Sequence, residues 1–166
     1  YPGYDINKFS GSVDTAYYNQ LYNDLSQPFL NRATQVETAP GSIFKVLTTA
    51  MGLEEGVISA DELVNDTGVF EKQGLHLKCW DSSGHGDVNA ISAIAQSCNY
   101  YFSEIGFRVS QSGGEYDSST GLATIQKYAS MFGLGEKSGV EIAESAPHIS
   151  DENPIPSSIG QGTHTY

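Results

Sequence analysis

Pro40-Gly41-Ser42-Ile43-Phe44-Lys45, running on into Val46-Leu47-Thr48-Thr49-Ala50-Met51, is the stretch on which the fold reading turns. Pro40-Gly41 reads as a turn. The apolar residues behind it predict a helix from Ser42 to about Glu55, stopped by Gly56 as a C-terminal glycine. Ile43, Phe44, Val46, Leu47, Ala50 and Met51 are apolar nearly all round, so the helix is expected to be buried. A lysine inside such a helix must be paired or neutral. Ser42 and Lys45 are three positions apart and so share a helix face. A neutral Lys45 amine beside the Ser42 hydroxyl could take its proton, making Ser42 a nucleophile in the first helical turn, where free N–H groups favour developing negative charge.

Working outward, Asp14-Thr15 predicts a helix start with Tyr17, Leu21, Tyr22 and Leu25 on one face, ended by Pro28. Ser59-Ala60-Asp61-Glu62 has capping-box form. Thr67 to Trp80 reads as strand or extended loop, and Gly84-His85-Gly86 as a turn. Asn89 caps a helix through Ile91, Ile94 and Ala95, and another helical pattern covers Tyr101, Phe102 and Ile105. Ser110 to Ser119 reads as a Gly/Ser-rich loop and Thr120 as the cap of a helix ending at Gly133. Ser97-Cys98-Asn99 falls where the apolar period changes. On one continuous helix Ser97 and Asn99 would point to opposite sides, so both can face a cleft only if the chain breaks into a turn there. Ser97 could then relay a proton to or from Lys45, and Asn99 could hold a substrate amide.

Composition narrows the rest. With 166 residues, 39% of them hydrophobic and 17% charged, the chain suits one globular domain or a large part of one. A formal net charge of -12 argues against nucleic acid and against electrostatic docking on anionic lipid. Nothing approaches a membrane span of about 20 apolar residues. Cys79 and Cys98 make no Cys-x-x-Cys pair, and two readings stay open: a disulfide in an extracellular protein, or two separate buried thiols. His76, His85, His148 and His164 lack metal-ligand spacing. They are expected in loops or caps, with no metal site and no cofactor.

Taken together, Ser42-x-x-Lys45 and Ser97-Cys98-Asn99 resemble the transpeptidase domain of penicillin-binding proteins, with the nearest look to the membrane-anchored class B enzymes of elongation or division. Tyr1 to Asn7, Asn31-Arg32-Ala33, Cys79-Trp80, His85-Gly86, Phe132-Gly133-Leu134-Gly135 and Gly160-Gln161-Gly162 also fit, so the resemblance covers nearly the whole chain. It implies a mainly α chain with long loops: the helical subdomain and catalytic helix of the serine transpeptidase/β-lactamase-like α/β fold, with most of the central antiparallel sheet absent. Residues 1-166 are then expected to be a partial transpeptidase domain truncated at both ends. The resemblance makes Ser42 the acylated nucleophile, Lys45 its base, Ser97 the relay and Asn99 a substrate-positioning residue. It implies a peptidoglycan stem peptide ending in D-Ala-D-Ala as substrate and β-lactams as acylating inhibitors. It also implies a membrane anchor upstream, a cell-wall synthase partner, and a place on the outer face of the bacterial membrane. The family's third motif, Lys-Thr/Ser-Gly on an edge strand, is missing. Lys137-Ser138-Gly139 has the letters but precedes Gly160-Gln161-Gly162 and reads as loop. Without that strand's oxyanion donor, worth roughly 10²–10³ in rate, this segment alone is expected to be weakly active or inactive. A serine β-lactamase or β-lactam-sensor domain, and a non-enzymatic binding module, are the alternatives.

Overall fold

The computed structural model describes residues 2–166. They form seven α-helices, α1 (Thr15–Tyr22), α2 (Arg32–Gln35), α3 (Lys45–Glu54), α4 (Ala90–Ala95), α5 (Asn99–Arg108), α6 (Ser118–Met131) and α7 (Pro154–Ser158). Six short strands accompany them: β1 (Val64–Asp66), β2 (Val69–Phe70), β3 (Leu77–Lys78), β4 (Gly86–Val88), β5 (Gln111–Ser112) and β6 (Glu115–Tyr116). The strands pair only two by two, antiparallel, as β1–β4, β2–β3 and β5–β6. The chain is therefore mainly helical, as the sequence reading expected. None of its described helices is long and apolar enough to cross a membrane.

Two compact units divide the chain. The smaller comprises residues 1–36 and 140–145. Asp14 caps α1 by accepting from Ala16 and Tyr17 N–H. The helix stops at Tyr22, so Leu25, expected on one face with Tyr17, Leu21 and Tyr22, lies beyond it and is 99% exposed. The unit is held by rings packed edge to face, Tyr4 on Phe9 at 5.5 Å and on Phe29 at 5.0 Å.

The larger unit comprises residues 37–139 and 146–166 and carries the core. Helix α5 is its axis: Tyr101, Phe102 and Ile105 are fully buried, and α3, α6 and α7 pack around it. The burial is one-sided on α3. Phe44, Leu47 and Met51 face the core, whereas Ile43 is 77% and Val46 58% exposed. This corrects the expectation of an all-round buried helix, because the unit supplies partners along one face only. Ile43 and Val46 instead line an open apolar groove of about 350 Å³ with Phe132, Leu134 and Tyr166.

Local chemistry explains most boundaries. Asn89 and Ser92 make a reciprocal capping box on α4. The stretch read as a Gly/Ser-rich loop is a hairpin, β5–β6, turned by Gly113-Gly114 with φ of 64° and 91°. Asp117, not Thr120, caps the helix after it. Asn153 with Pro154 opens α7, which falls in a region read as loop. Lys137–Gly139 lies outside any strand, as expected of a chance match to the third motif.

Candidate active site

Ser42 sits on a 3-10 turn, Gly41–Phe44, that leads into α3. Gly41 takes φ +57°, a left-handed value that a Cβ would resist, and this turns the chain into the helix. The turn is fastened from a distance. Gly41 N–H donates to Gly160 O at 2.9 Å, and Thr38 and Tyr166 exchange two backbone bonds. A Cβ on Gly160 would run into the Gly41 carbonyl, so the close approach requires glycine. His164, 1% exposed, packs against Phe44 with tilted rings, centroids 4.4 Å apart. Its Nδ1 accepts from Ser150 N–H, and its Nε2 lies 3.1 Å from Ser157 O, which fixes the proton on Nε2. Burial holds this imidazole's pKa below the ordinary value.

The 97–99 segment is the turn that the sequence required. Helix α4 ends at Ala95, Cys98 caps α5, and Ser97 between them has φ +53°. A serine held there is strained by roughly 1–3 kcal/mol, a cost that the surrounding contacts must offset.

These pieces meet at Lys45. Its side chain is 2% exposed, and Nζ lies 5.5 Å from the centre of the Phe102 ring. Nζ donates to Ser97 O at 2.8 Å, Ser97 Oγ at 3.0 Å and Asn99 Oδ1 at 2.7 Å. Ser97 Oγ in turn donates to exposed Ser42 Oγ at 3.0 Å. Asn99 Nδ2 donates to Lys78 O at 3.1 Å, so its amide spans from strand β3 to the lysine. Desolvation lowers the Lys45 pKa, while Cys79 and Cys98 act the other way. The structure thus brings Ser42, Lys45, Ser97 and Asn99 together. It differs from the sequence reading in the route: the amine spends its donors on the 97–99 turn and reaches Ser42 through Ser97 Oγ.

The chemistry follows from counting protons. An ammonium has three donors, and three acceptors surround Nζ. After one proton is lost, Ser97 O and Asn99 Oδ1 still hold two N–H groups, which leaves the lone pair aimed at Ser97 Oγ. The hydrogen-bond chain can then run from Ser42 O–H through Ser97 O–H to the amine, the direction that activates a nucleophile.

A second cluster adjoins this one, and sequence reasoning missed it. Asp66 Oδ2, Cys79 Sγ, His85 and Cys98 Sγ place their donor atoms within 4.8 Å of one another. Individual separations are 3.9 Å between the sulfurs, 3.4 Å from Cys79 Sγ to His85 Nδ1, 3.2 Å from Cys98 Sγ to Asp66 Oδ2 and 2.7 Å from His85 Nδ1 to Asp66 Oδ2. Zinc bonds of about 2.0–2.3 Å imply tetrahedral edges of roughly 3.3–3.8 Å. Two thiols, one imidazole and one carboxylate are a donor set that zinc accepts, but the His85–Asp66 contact is at hydrogen-bond length, so the side chains would have to spread apart to hold an ion. His85 Nδ1 is engaged by Asp66 Oδ2, while its Nε2 is buried with no hydrogen-bond partner. Four protein ligands would close the coordination shell, so a metal held here would be structural.

Burial acts to raise the Asp66 pKa, but hydrogen bonds from His85, Gly68 N–H and both thiols hold it at about 2. Burial also pushes the Cys98 thiol well up; a bound cation would reverse that. His85 lies in the loop just before β4, as expected, and its ring is paired with buried Asp66. The ligands are separated by twelve, five and twelve residues, with no close local pair to announce them. Both cysteines are free and buried, and they sit side by side rather than apart.

The model of the penicillin binding protein transpeptidase domain matches residues 2–166. The chain belongs to this family. It is 29% identical over 145 residues to the peptidoglycan D,D-transpeptidase MrdA of Haemophilus influenzae, covering 86% of this chain and 21% of that protein. It is 31% identical over 132 residues to the stage V sporulation protein D of Bacillus subtilis, covering 79% and 17%. The chain thus spans about a fifth of the length of these relatives. Among solved structures, the penicillin-binding protein PBP2 of Helicobacter pylori, in a complex with MreC, superposes with a TM-score of 0.86 at 25% identity, over 99% of this chain and 32% of that one. PBP2 of Pseudomonas aeruginosa, in complex with WCK 5153, gives 0.83 at 23% identity over 100% and 39%, a likeness of fold. The relatives fit the class B, elongation or division, type.

Proposed function

We propose that this chain is part of the transpeptidase domain of a D,D-transpeptidase that crosslinks peptidoglycan through an acyl-serine intermediate. The observation that carries the reading is the unbroken link Lys45 Nζ–Ser97 Oγ–Ser42 Oγ, at 3.0 Å in each step. Ser42 Oγ attacks the penultimate carbonyl of a stem peptide ending in D-Ala-D-Ala, and its proton passes through Ser97 to Lys45. Lys45 returns a proton along the same chain to the departing D-Ala amine. An amine on a neighbouring strand then displaces Ser42 and completes the crosslink. Asn99, fixed by Lys78 O and Lys45 Nζ, presents its amide at the cleft to position the stem peptide.

β-Lactams would acylate the same serine. The parent protein works on the outer face of the bacterial membrane, with an upstream anchor and a cell-wall synthase partner. This stretch alone, lacking a Lys-Thr/Ser-Gly strand and its oxyanion donor, acylates slowly or not at all. The test is intact-mass analysis of the full-length protein after exposure to penicillin. One adduct is expected on wild type and none on Ser42→Ala. An adduct that survives the substitution overturns the assignment, and an adduct shed within seconds favours the β-lactamase reading.

A further inference from the structure

The turn that carries Ser42 is braced by one later segment, residues 157–166, and a buried ring lies at the centre of that brace. Gly41 N–H donates to Gly160 O at 2.9 Å, Thr48 Oγ1 to Ser158 O at 2.7 Å, and Thr38 and Tyr166 exchange backbone bonds of 3.2 and 3.1 Å. The segment is tied in turn to residues 148–151. His148 and Thr165 exchange backbone bonds of 2.8 and 3.0 Å, and Ser150 Oγ accepts from Ser157 Oγ at 2.6 Å and from Thr163 N–H at 3.2 Å. His164 touches every part of this assembly. Its ring packs against Phe44, Nδ1 accepts from Ser150 N–H at 3.0 Å, Nε2–H donates to Ser157 O at 3.1 Å, and the Tyr166 hydroxyl lies 3.1 Å from Nδ1.

Such a setting admits only the neutral ring. A second proton would sit on Nδ1 and face Ser150 N–H, which sets two donors against each other in a buried place and leaves the amide without its acceptor. The groups around the ring do not relieve this. His148, on the 148–151 segment, opposes a second positive charge, and Asp151 is already paired with His148 at 3.3 Å. Helix α7 brings only proline, isoleucine and serine side chains. Tyr166 brings a phenol whose pKa burial pushes up to about 12. From the Ser42 side, the Lys45 amine is turned to the 97–99 turn. A proton gained at Nδ1 is therefore accommodated by the ring leaving Ser150, which loosens the brace.

We infer that His164 is a positioning residue and a proton switch for the nucleophile: neutral, it holds residues 157–166 against the Gly41–Phe44 turn and keeps Ser42 in place; protonated, it lets the brace open and Ser42 stops reacting. The switch is separate from Lys45, which must also give up a proton before it can act. Both groups turn acylation off as pH falls, so the acid side of the profile carries two protons rather than one. The His164 limb lies below the ordinary imidazole value of 6.5, because burial disfavours the charged ring. The activity readout rests on the proposed acyl-serine reading, whereas the loosening of the turn does not.

The test follows the full-length protein from about pH 8 to about pH 4.5, wild type beside His164→Gln, whose amide keeps a donor for Ser157 O but takes up no proton. At each pH three quantities are read: the rate of adduct formation with a fluorescent penicillin, backbone amide exchange in peptides covering residues 38–44, and His164 protonation from deuterium exchange of its ring C–H by peptide mass. In wild type, exchange at 38–44 should rise at least about fivefold as His164 titrates, and the fall in acylation should steepen by about tenfold per pH unit below that point. In His164→Gln the exchange stays flat and the extra steepness is lost. The proposal is overturned by wild-type and variant profiles of the same shape, by a His164 that stays neutral throughout or titrates without effect on 38–44, or by an extra limb that disappears in His148→Gln instead. Should His164→Gln lack a cooperative melt, wild type decides: exchange at 38–44 must rise where His164 titrates, and a gap of more than about one pH unit refutes the switch. Failure of the serine reading shows separately, as an adduct that survives Ser42→Ala while residues 38–44 still respond to His164.

Discussion

Ser42 and Ser97 are joined by one hydrogen bond, yet they are held in opposite ways. At Ser42 the unusual backbone angle falls on the preceding residue, Gly41, so the serine keeps an ordinary conformation and stays exposed. At Ser97 the serine itself carries φ +53° and is half-buried, with Lys45 Nζ on both its carbonyl and its hydroxyl. A group that must attack a substrate is left outside on a relaxed backbone. A group that must only hand a proton along is fixed, strain included, by its neighbours.

The sharpest way to break this contrast is Ser42→Ala. It should abolish the penicillin adduct while moving stability by less than about 0.5 kcal/mol, because the side chain is exposed; a large loss on thermal melting would show that Ser42 is also structural. Next comes Lys45→Met. Acylation should fall by about 10²–10⁴-fold in stopped-flow assays, while the melt holds within about 1.5 kcal/mol because an apolar chain of similar volume replaces a buried cation. Acylation within a factor of two of wild type would remove lysine from the proton path.

Ser97 distinguishes relay from strain. Ser97→Ala and Ser97→Gly should both slow acylation by roughly 10²-fold, but the glycine variant should be the more stable by about 1 kcal/mol in urea unfolding, since only glycine takes this backbone angle freely. Equal stabilities would show that the strain has been misplaced.

The smallest effect concerns His164, which braces the Ser42 side through Phe44. Its folded pKa lies below that of the unfolded chain, about 6.5. On acidification the unfolded state binds a proton first, so stability falls as pH drops below about 6.5 and levels once the folded pKa is passed. His164→Gln should lower the melting temperature at pH 7.5 and flatten this slope; an unchanged slope would assign the acid sensitivity elsewhere.

Much of this was legible in the residues. Pro40-Gly41 marked a turn, Asn89 a helix start, and the change of period near Ser97 a break, because each is a local preference written over a few positions. What stayed hidden depends on partners far along the chain. Nothing in Ile43 or Val46 tells which side of α3 the rest of the unit covers. The path from Lys45 to Ser42 through Ser97 needs two turns to be placed in space first. Asp66, Cys79, His85 and Cys98 lie thirteen, six and thirteen residues apart, and only the β1–β4 pairing, the Cys79–Gly68 backbone bond and the Cys98 cap bring them together.

The bond from Gly41 to Gly160 joins residues 119 positions apart. On a ribosome the nucleophile segment emerges well before the strand of chain that braces it, at a synthesis rate of about 5–20 residues per second. For several seconds a nascent chain therefore displays its serine without the far-side support that shapes the turn. Covalent labelling of stalled nascent chains by a fluorescent penicillin should begin only once Gly160 has cleared the exit tunnel.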